Sequence, residues 1–319
     1  MSEMKIEVEG KVFTQSEISV WDACPYKWFL RYNLQKDLIG AISWPLIVGT
    51  EWHELMESLY KAKGKNANKL RCNVAKHIDK DVIITEEIEH DCEYWNEVLE
   101  ATVQAYAEFY ADNFKVFKIV DFEKILEVEI EVDGVIIRLA GKRDQKGYFA
   151  KSKLGIRDFK TTGQISKNYT EGWSFKFQFM FYLWLDYRCS ALKDQATEFL
   201  VDVTKKTLLR WKDGENIITF AARVKADILQ RPTEYFYLQS LDLTAKGVME
   251  FEEKILMPKL RRIATLQKHP EMADILALSK NTDACNLYNQ QCEYFANCYF
   301  GKEKQYKIRE VKHTELETK

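Results

Sequence analysis

Between Leu126 and Ala140 the hydrophobic period of the chain changes. Leu126, Val128, Ile130 and Val132 alternate with Glu127, Glu129 and Glu131, the two-residue repeat of a half-buried strand. Asp133-Gly134 follows, a dipeptide suited to the two-residue hairpin turn in which both central residues take positive φ. Val135 to Ala140 then returns as the partner strand. A hairpin with one apolar face has to be covered, and the flanking segments supply the cover because they run at helical spacing.

Upstream, Thr14-Gln-Ser-Glu17 reads as a capping box that opens an aromatic-rich helix through Ile18 and Trp21 towards Tyr32, with a break expected after Cys24 because Pro25 follows. A second helix is expected near Gly49, carrying His53, Leu55, Met56 and Leu59, and Lys61 to Asn68 reads as an exposed loop. Trp95, Leu99, Val103, Tyr106 and Tyr110 recur at helical spacing within Cys92 to Phe114. Downstream come a third strand from Leu154 to Phe159, a helix from about Trp173 to Arg188, and strands near Phe199–Val203 and Leu208–Trp211. Helices near Ile217–Leu229 and from Leu243 to about Gln267 precede a cysteine-bearing loop and a mixed-charge tail. The expected fold class is therefore α/β, with helical additions at both ends.

Composition narrows the function classes. The 319 residues carry 47 Lys plus Arg against 49 Asp plus Glu, a formal net charge of -2. That neither requires nor excludes nucleic acid, since a nuclease can be basic along one cleft only. Only 13 Gly and 5 Pro interrupt the chain, and no window reaches the roughly 18 apolar residues of a membrane span. The first residues, Met1 to Glu7, lack a signal peptide's basic region and apolar core, so a cytoplasmic, reducing setting is expected and disulfides are not. There is no Walker-type phosphate loop, dinucleotide fingerprint, G-x-S-x-G elbow or C-x-x-C.

The chemistry concentrates at Gly141-Lys-Arg-Asp144 and Asp158-Phe-Lys160. Residues i and i+2 of a strand share a face, so Asp158 and Lys160 project together, near Asp144 if the two strands are neighbours. Two carboxylates suit a hard divalent cation, and an adjacent ammonium can hold the attacking water and offset charge in the transition state. Taken alone, Asp-x-Lys is more often a surface ion pair, and a single His on an amphipathic helix is more often structural.

The order of motifs is informative. Cys24-Pro-Tyr, Gly49-Thr-Glu-Trp-His53, Gly141-x-x-Asp144, Asp158-x-Lys160 and Gln178-x-x-x-Tyr182 together resemble the RecB-like branch of the PD-(D/E)xK nuclease superfamily. The chain is similar to the AddB nuclease domain and to CRISPR-associated and phage-encoded single-domain exonucleases. The resemblance implies a restriction-endonuclease-like core, a small mixed sheet flanked by helices, with the helical termini joined by a cysteine cluster. It implies one nuclease domain over 1–319, made of a helical part (10–115), the core (116–240), a C-terminal helix with cysteines (241–301) and a tail (302–319).

It further implies two divalent ions, Mg²⁺ or Mn²⁺, held by His53, Asp144, Asp158 and the Phe159 carbonyl, with Lys160 positioning water and Gln178 and Tyr182 lining the site. Cys24, Cys285, Cys292 and Cys298 would hold a 4Fe-4S cluster. The C-x6-C-x5-C spacing of the last three is wider than the C-x2-C of many relatives, and zinc or free thiols are the alternatives. Cys72, Cys92 and Cys189 fall in apparent helices and read as ordinary thiols.

DNA is the expected partner, with a helicase or recombination protein beside it. Lys151, Lys153, Arg157, Lys167 and Lys176, interleaved with Tyr169, Trp173 and Phe175, would form a cationic stacking path, extended by Lys206 and Arg210. The expected activity is metal-dependent DNA exonuclease action in replication, recombination or repair. The rival readings are a catalytically silent DNA-binding subunit and a zinc-dependent hydrolase.

Overall fold

The computed structural model describes Ile6 and residues 8–149, 153–173, 176–242, 244–287 and 290–316. Strand β1 (Val12–Thr14) runs straight into helix α1 (Gln15–Ala23), whose N-cap is Thr14, its side chain accepting from the Glu17 N–H. Cys24 is extended (φ −160°, ψ 107°), and Pro25 opens α2 (Pro25–Trp28), which continues as a π-helical turn over Phe29–Asn33. The residue before proline is pushed out of the helical region, which is why the break falls there. A short β2 (Lys36–Leu38) precedes α3 (Trp44–Lys61), the helix that carries His53.

Helix α4 (Glu86–Phe109) is capped by Thr85 and begins six residues before the expected Cys92; a single turn, α5 (Asn113–Val116), follows its end. The hairpin is longer than its alternating stretch: β3 spans Lys118–Val132 and β4 spans Val135–Tyr148. At the turn Asp133 and Gly134 both have positive φ, 52° and 81°, as a right-twisting two-residue hairpin requires. Then come β5 (Leu154–Thr162), α6 (Lys167–Glu171), α7 (Phe177–Cys189), β6 (Glu198–Lys205), α8 (Ile217–Gln230), α9 (Pro232–Tyr235) and β7 (Phe236–Asp242).

Leu208–Trp211 is not a strand. The place beside β6 is taken by β7, while Trp211 stacks on His90 and Phe220. The expected long helix after residue 243 is broken into α10 (Ala245–Phe251), a π-helical turn and α11 (Met257–Lys268). The chain ends through α12 (Pro270–Ala277), a two-residue ribbon of β8 (Asn286–Leu287) and β9 (Gln290–Gln291), α13 (Phe295–Phe300) and β10 (Tyr306–Ile308). The mixed-charge tail is tied to the rest of the molecule: β10 pairs with β2, and the Thr14 hydroxyl donates to Glu315 at 2.7 Å.

The main sheet is mixed, ordered β1-β4-β5-β6-β7 with β3 on the far edge of β4. Helices cover both faces. Residues of α1, α2, α7, α10 and α11 pack on one side with Leu139, Ile156 and Val201; residues of α3, α4 and α8 pack on the other with Phe159. Among the described residues no helix is long and apolar enough to cross a membrane.

Candidate active site

The sheet contains a gap. β3 occupies one edge of β4 along nearly its whole length. On the opposite edge, β1 pairs only with Arg138, Leu139 and Ala140, and β5 only with Gln145 to Tyr148. The stretch Gly141–Asp144 between them has no ladder partner on that side. The next rung after Gln145↔Arg157 would join Asp144 to Asp158, and there the two strands part.

The carboxylates converge at this opening. The Phe159 N–H donates to Asp144 Oδ2 at 2.8 Å. In an extended strand the N–H and C=O of one residue point to the same edge, so the Phe159 carbonyl also faces the gap. His53 on α3 brings Nδ1 to 3.1 Å from Asp144 Oδ2. Lys160 Nζ is 2.6 Å from Asp158 Oδ2, on the face opposite Phe159. From α7, Tyr182 hydrogen-bonds Gln178 and feels the charges of Asp158 and Asp144. Gly141 lets that ring come close: a Cβ there would lie 2.8 Å from Tyr182 and 3.0 Å from Leu185.

Burial pushes Asp144 up, but the His53 ring, Lys160 and the Phe159 N–H more than offset it, and its carboxyl sits below its ordinary value. Asp158, only 3% exposed, stays above its ordinary value, because burial and the Asp144 charge outweigh the pull of Lys160. Burial lowers Lys160 and His53, yet the facing carboxylates raise both on balance. A divalent cation bound between Asp158 and Asp144 would add positive charge there and favour the ionised form of both. The donor set fits such an ion.

One nearby carboxylate was not legible in the sequence. Glu123 of β3 places an oxygen within 4.8 Å of ligand atoms of both His53 and Asp144. It is one of several acids along β3, and nothing in the residue order distinguishes it. A second group, Glu51, Glu54 and His77, already holds a cation: Lys76 Nζ lies 2.9 Å from Glu51 and 2.5 Å from Glu54.

The four cysteines of the remote segments line one cavity. Cys24, Cys285, Cys292 and Cys298 share it with Tyr26, Lys27, Lys280 and Tyr294, and none of them is in a disulfide. The two chain segments are tied at its rim, where Asn281 Nδ2 donates to the Ala23 carbonyl at 2.8 Å and the Tyr26 N–H donates to the Ser279 carbonyl at 3.1 Å. Cys92 and Cys189 are helical, whereas Cys72 lies in an irregular segment.

The expected DNA path divides. Arg157 is fully buried: its guanidinium pairs with Asp202 at 2.7 Å and lies 4.6–5.5 Å from the ring centres of Tyr60, Phe117, Phe149 and Phe159. It alternates with Asp158 along β5, so it faces the α3–α4 core and cannot touch DNA. Trp173 is 2% exposed, packed against Tyr169, Phe179 and Tyr237, so it offers no stacking face. Lys153 and Lys167 are exposed, Lys176 is half-buried over Phe179, and Lys151 and Phe175 lie outside the described residues. Lys205 and Lys206 rest on Tyr235 and Trp95.

No curated protein matches the chain. A solved structure titled "Crystal structure of SSO0001" is similar at 12% identity, covering 79% of each chain, with a TM-score of 0.29. The family described as the PD-(D/E)XK nuclease superfamily matches residues 12–298. Because that match spans most of the chain, this chain belongs to the PD-(D/E)XK nuclease superfamily.

Proposed function

We propose that the protein is a metal-dependent DNA exonuclease that processes DNA ends. The observation that carries this reading is the convergence of Asp144, Asp158 and Lys160 where β4 and β5 separate. Asp144, Asp158, His53 and the Phe159 carbonyl would hold Mg²⁺ or Mn²⁺. When bound, such a cation supplies positive charge that stabilises the phosphoryl oxygens as negative charge builds on them. Lys160 keeps its proton at neutral pH, since its pKa is raised. Its part is therefore to orient the attacking water and counter developing charge, not to act as a base. Tyr182, pushed well above its ordinary range mainly by burial, stays protonated and can donate to a phosphate oxygen, with Gln178 holding it. Lys176, Lys205 and Lys206 would draw in the DNA backbone.

The preference for ends rests on the resemblance of Gln178-x-x-x-Tyr182 to end-processing nucleases. Digestion of a linear single strand and its circular form with Mn²⁺ tests it. Loss of the linear strand alone is expected; equal loss of the circle would make the enzyme an endonuclease.

The cavity ringed by Cys24, Cys285, Cys292 and Cys298 supports a 4Fe-4S cluster joining the two ends of the chain. Anaerobically purified protein should be brown and contain iron and sulfide, and Cys292→Ser should lose both colour and stability. Colourless protein containing zinc would overturn the cluster.

A further inference from the structure

Two lysines share one aromatic ring beside the site. Lys160 Nζ lies 6.0 Å from the ring centre of Phe179, and Lys176 Nζ lies 5.1 Å from the same centre. Phe179 is itself buried, so its ring is a fixed support for both ammonium groups. What faces the two cations differs. Lys160 is paired with Asp158 at 2.6 Å, whereas Lys176 has no ion-pair partner among the described residues. Burial and the Lys160 charge lower the pKa of Lys176, and Asp158 offsets them only in part. An anion placed beside Lys176 would favour its charged form.

The backbone fixes Lys176 relative to the reacting groups. It is the N-cap of α7, and its carbonyl accepts from the Phe179 and Met180 N–H groups at 3.1 and 3.2 Å. The same helix carries Gln178 and Tyr182. The charges acting on Lys176 are those of Lys160 and Asp158, whereas Asp144 answers to His53 and Lys160. Lys176 therefore stands on the Asp158 side of the site, away from His53. Lys206 lacks this relation: burial alone lowers it, and it lies against Trp95. A strand whose scissile phosphate sits between Asp144 and Asp158 carries further phosphates on either side. We propose that Lys176 holds the phosphate next to the scissile one, on the Asp158 side, and so selects strands that carry a charged phosphate there. Lys160 then serves the scissile group and Lys176 its neighbour. A charge-assisted bond of this kind fixes the register of the strand without reading a base, which makes Lys176 a substrate-positioning residue. This inference rests on the nuclease reading of the same site.

The test uses the full chain with Mn²⁺ and an end-labelled single strand. One phosphate beside the first scissile bond is replaced by a neutral methylphosphonate, on one side and then on the other. In wild type, one of the two replacements should lower kcat/KM for release of the first product at least tenfold. In Lys176→Met, kcat/KM on the unmodified strand should fall at least tenfold, and that same methylphosphonate should cost nothing further, because both changes remove one contact. Lys176→Arg should respond to the methylphosphonates as wild type does. A lysine that only supported the fold would leave the two losses additive. Additive losses, or a wild type indifferent to both methylphosphonates, would overturn the inference and leave the nuclease reading intact. No cleavage of the unmodified strand by wild type would overturn both.

Discussion

The Phe159 N–H donates to Asp144 Oδ2 at 2.8 Å, just past Gln145↔Arg157, the last rung between β4 and β5. A side chain thus replaces a backbone ladder bond at the point where the strands separate. The substitution links the fold to the site: the bond that stops the strands from drifting apart also fixes the carboxylate between them. Asp144 has a second partner, His53, from a different layer of the molecule.

Asp144 should therefore have separable structural and chemical roles. Asp144→Asn keeps an acceptor for the Phe159 N–H, so it should fold near wild-type stability and lose cleavage. Asp144→Ala leaves that N–H without its partner and should cost about 1–3 kcal/mol in addition. Urea unfolding beside a cleavage assay distinguishes the two, and equal stability of both variants would remove the structural role.

Lys160 should act as a fixed cation throughout the neutral range. Its folded-state pKa is raised by Asp158 and Asp144, so its charge persists beyond the ordinary lysine value. Activity should show no loss attributable to Lys160 between pH 7 and pH 10. Lys160→Met should lower kcat by about 10²–10³, the typical cost of removing one such donor, while DNA binding persists. A kcat unchanged in Lys160→Met would remove the residue from the mechanism.

Arg157 should contribute to stability and not to DNA affinity. Arg157→Met leaves Asp202 buried with its charge uncompensated and should destabilise by about 3–5 kcal/mol, read by denaturant unfolding. DNA affinity of the folded variant should keep its wild-type salt dependence. A shallower salt slope would return Arg157 to the DNA surface.

This residue shows where sequence reasoning stopped. The run of cations around Asp158 was visible, but strand alternation puts Arg157 on the face of Phe159 rather than of Asp158. The hairpin was legible because Glu127, Glu129 and Glu131 remain exposed opposite buried Leu126 and Val132. The extension of β4 to Tyr148 was hidden, since Gly141 to Gly147 are Gly or polar residues with no apolar alternation to mark a strand. Leu208–Trp211 imitates a strand by placing Leu209 and Trp211 against the core, while β7, near the break at Pro232, does the pairing. Asp144, Asp158 and Lys160 stood out through motif order. Glu123 did not, because it is one of several acids along β3 and nothing in the residue order distinguishes it.

The C-terminal tail should fasten the fold in a pH-dependent way. His313 Nε2 lies 3.1 Å from buried Glu17, and burial, which alone would lower it, is outweighed by Glu17 and Glu315, raising its pKa from 6.5 to about 9. A raised folded-state value means the stabilisation is complete below pH 6.5 and is lost as pH rises through about 9. Melting of wild type and His313→Gln should differ most at pH 6 and converge above pH 9. A difference that grows with pH would contradict this assignment.

The central claim is that the opening between β4 and β5 hydrolyses DNA, and its most direct test is cleavage of end-labelled single-stranded and duplex DNA with Mn²⁺. Wild type should degrade the substrate, EDTA should stop it, and Asp158→Ala should bind DNA without cutting it. Cleavage by Asp158→Ala at the wild-type rate, or intact DNA bound by wild type in the presence of Mn²⁺, would contradict the account.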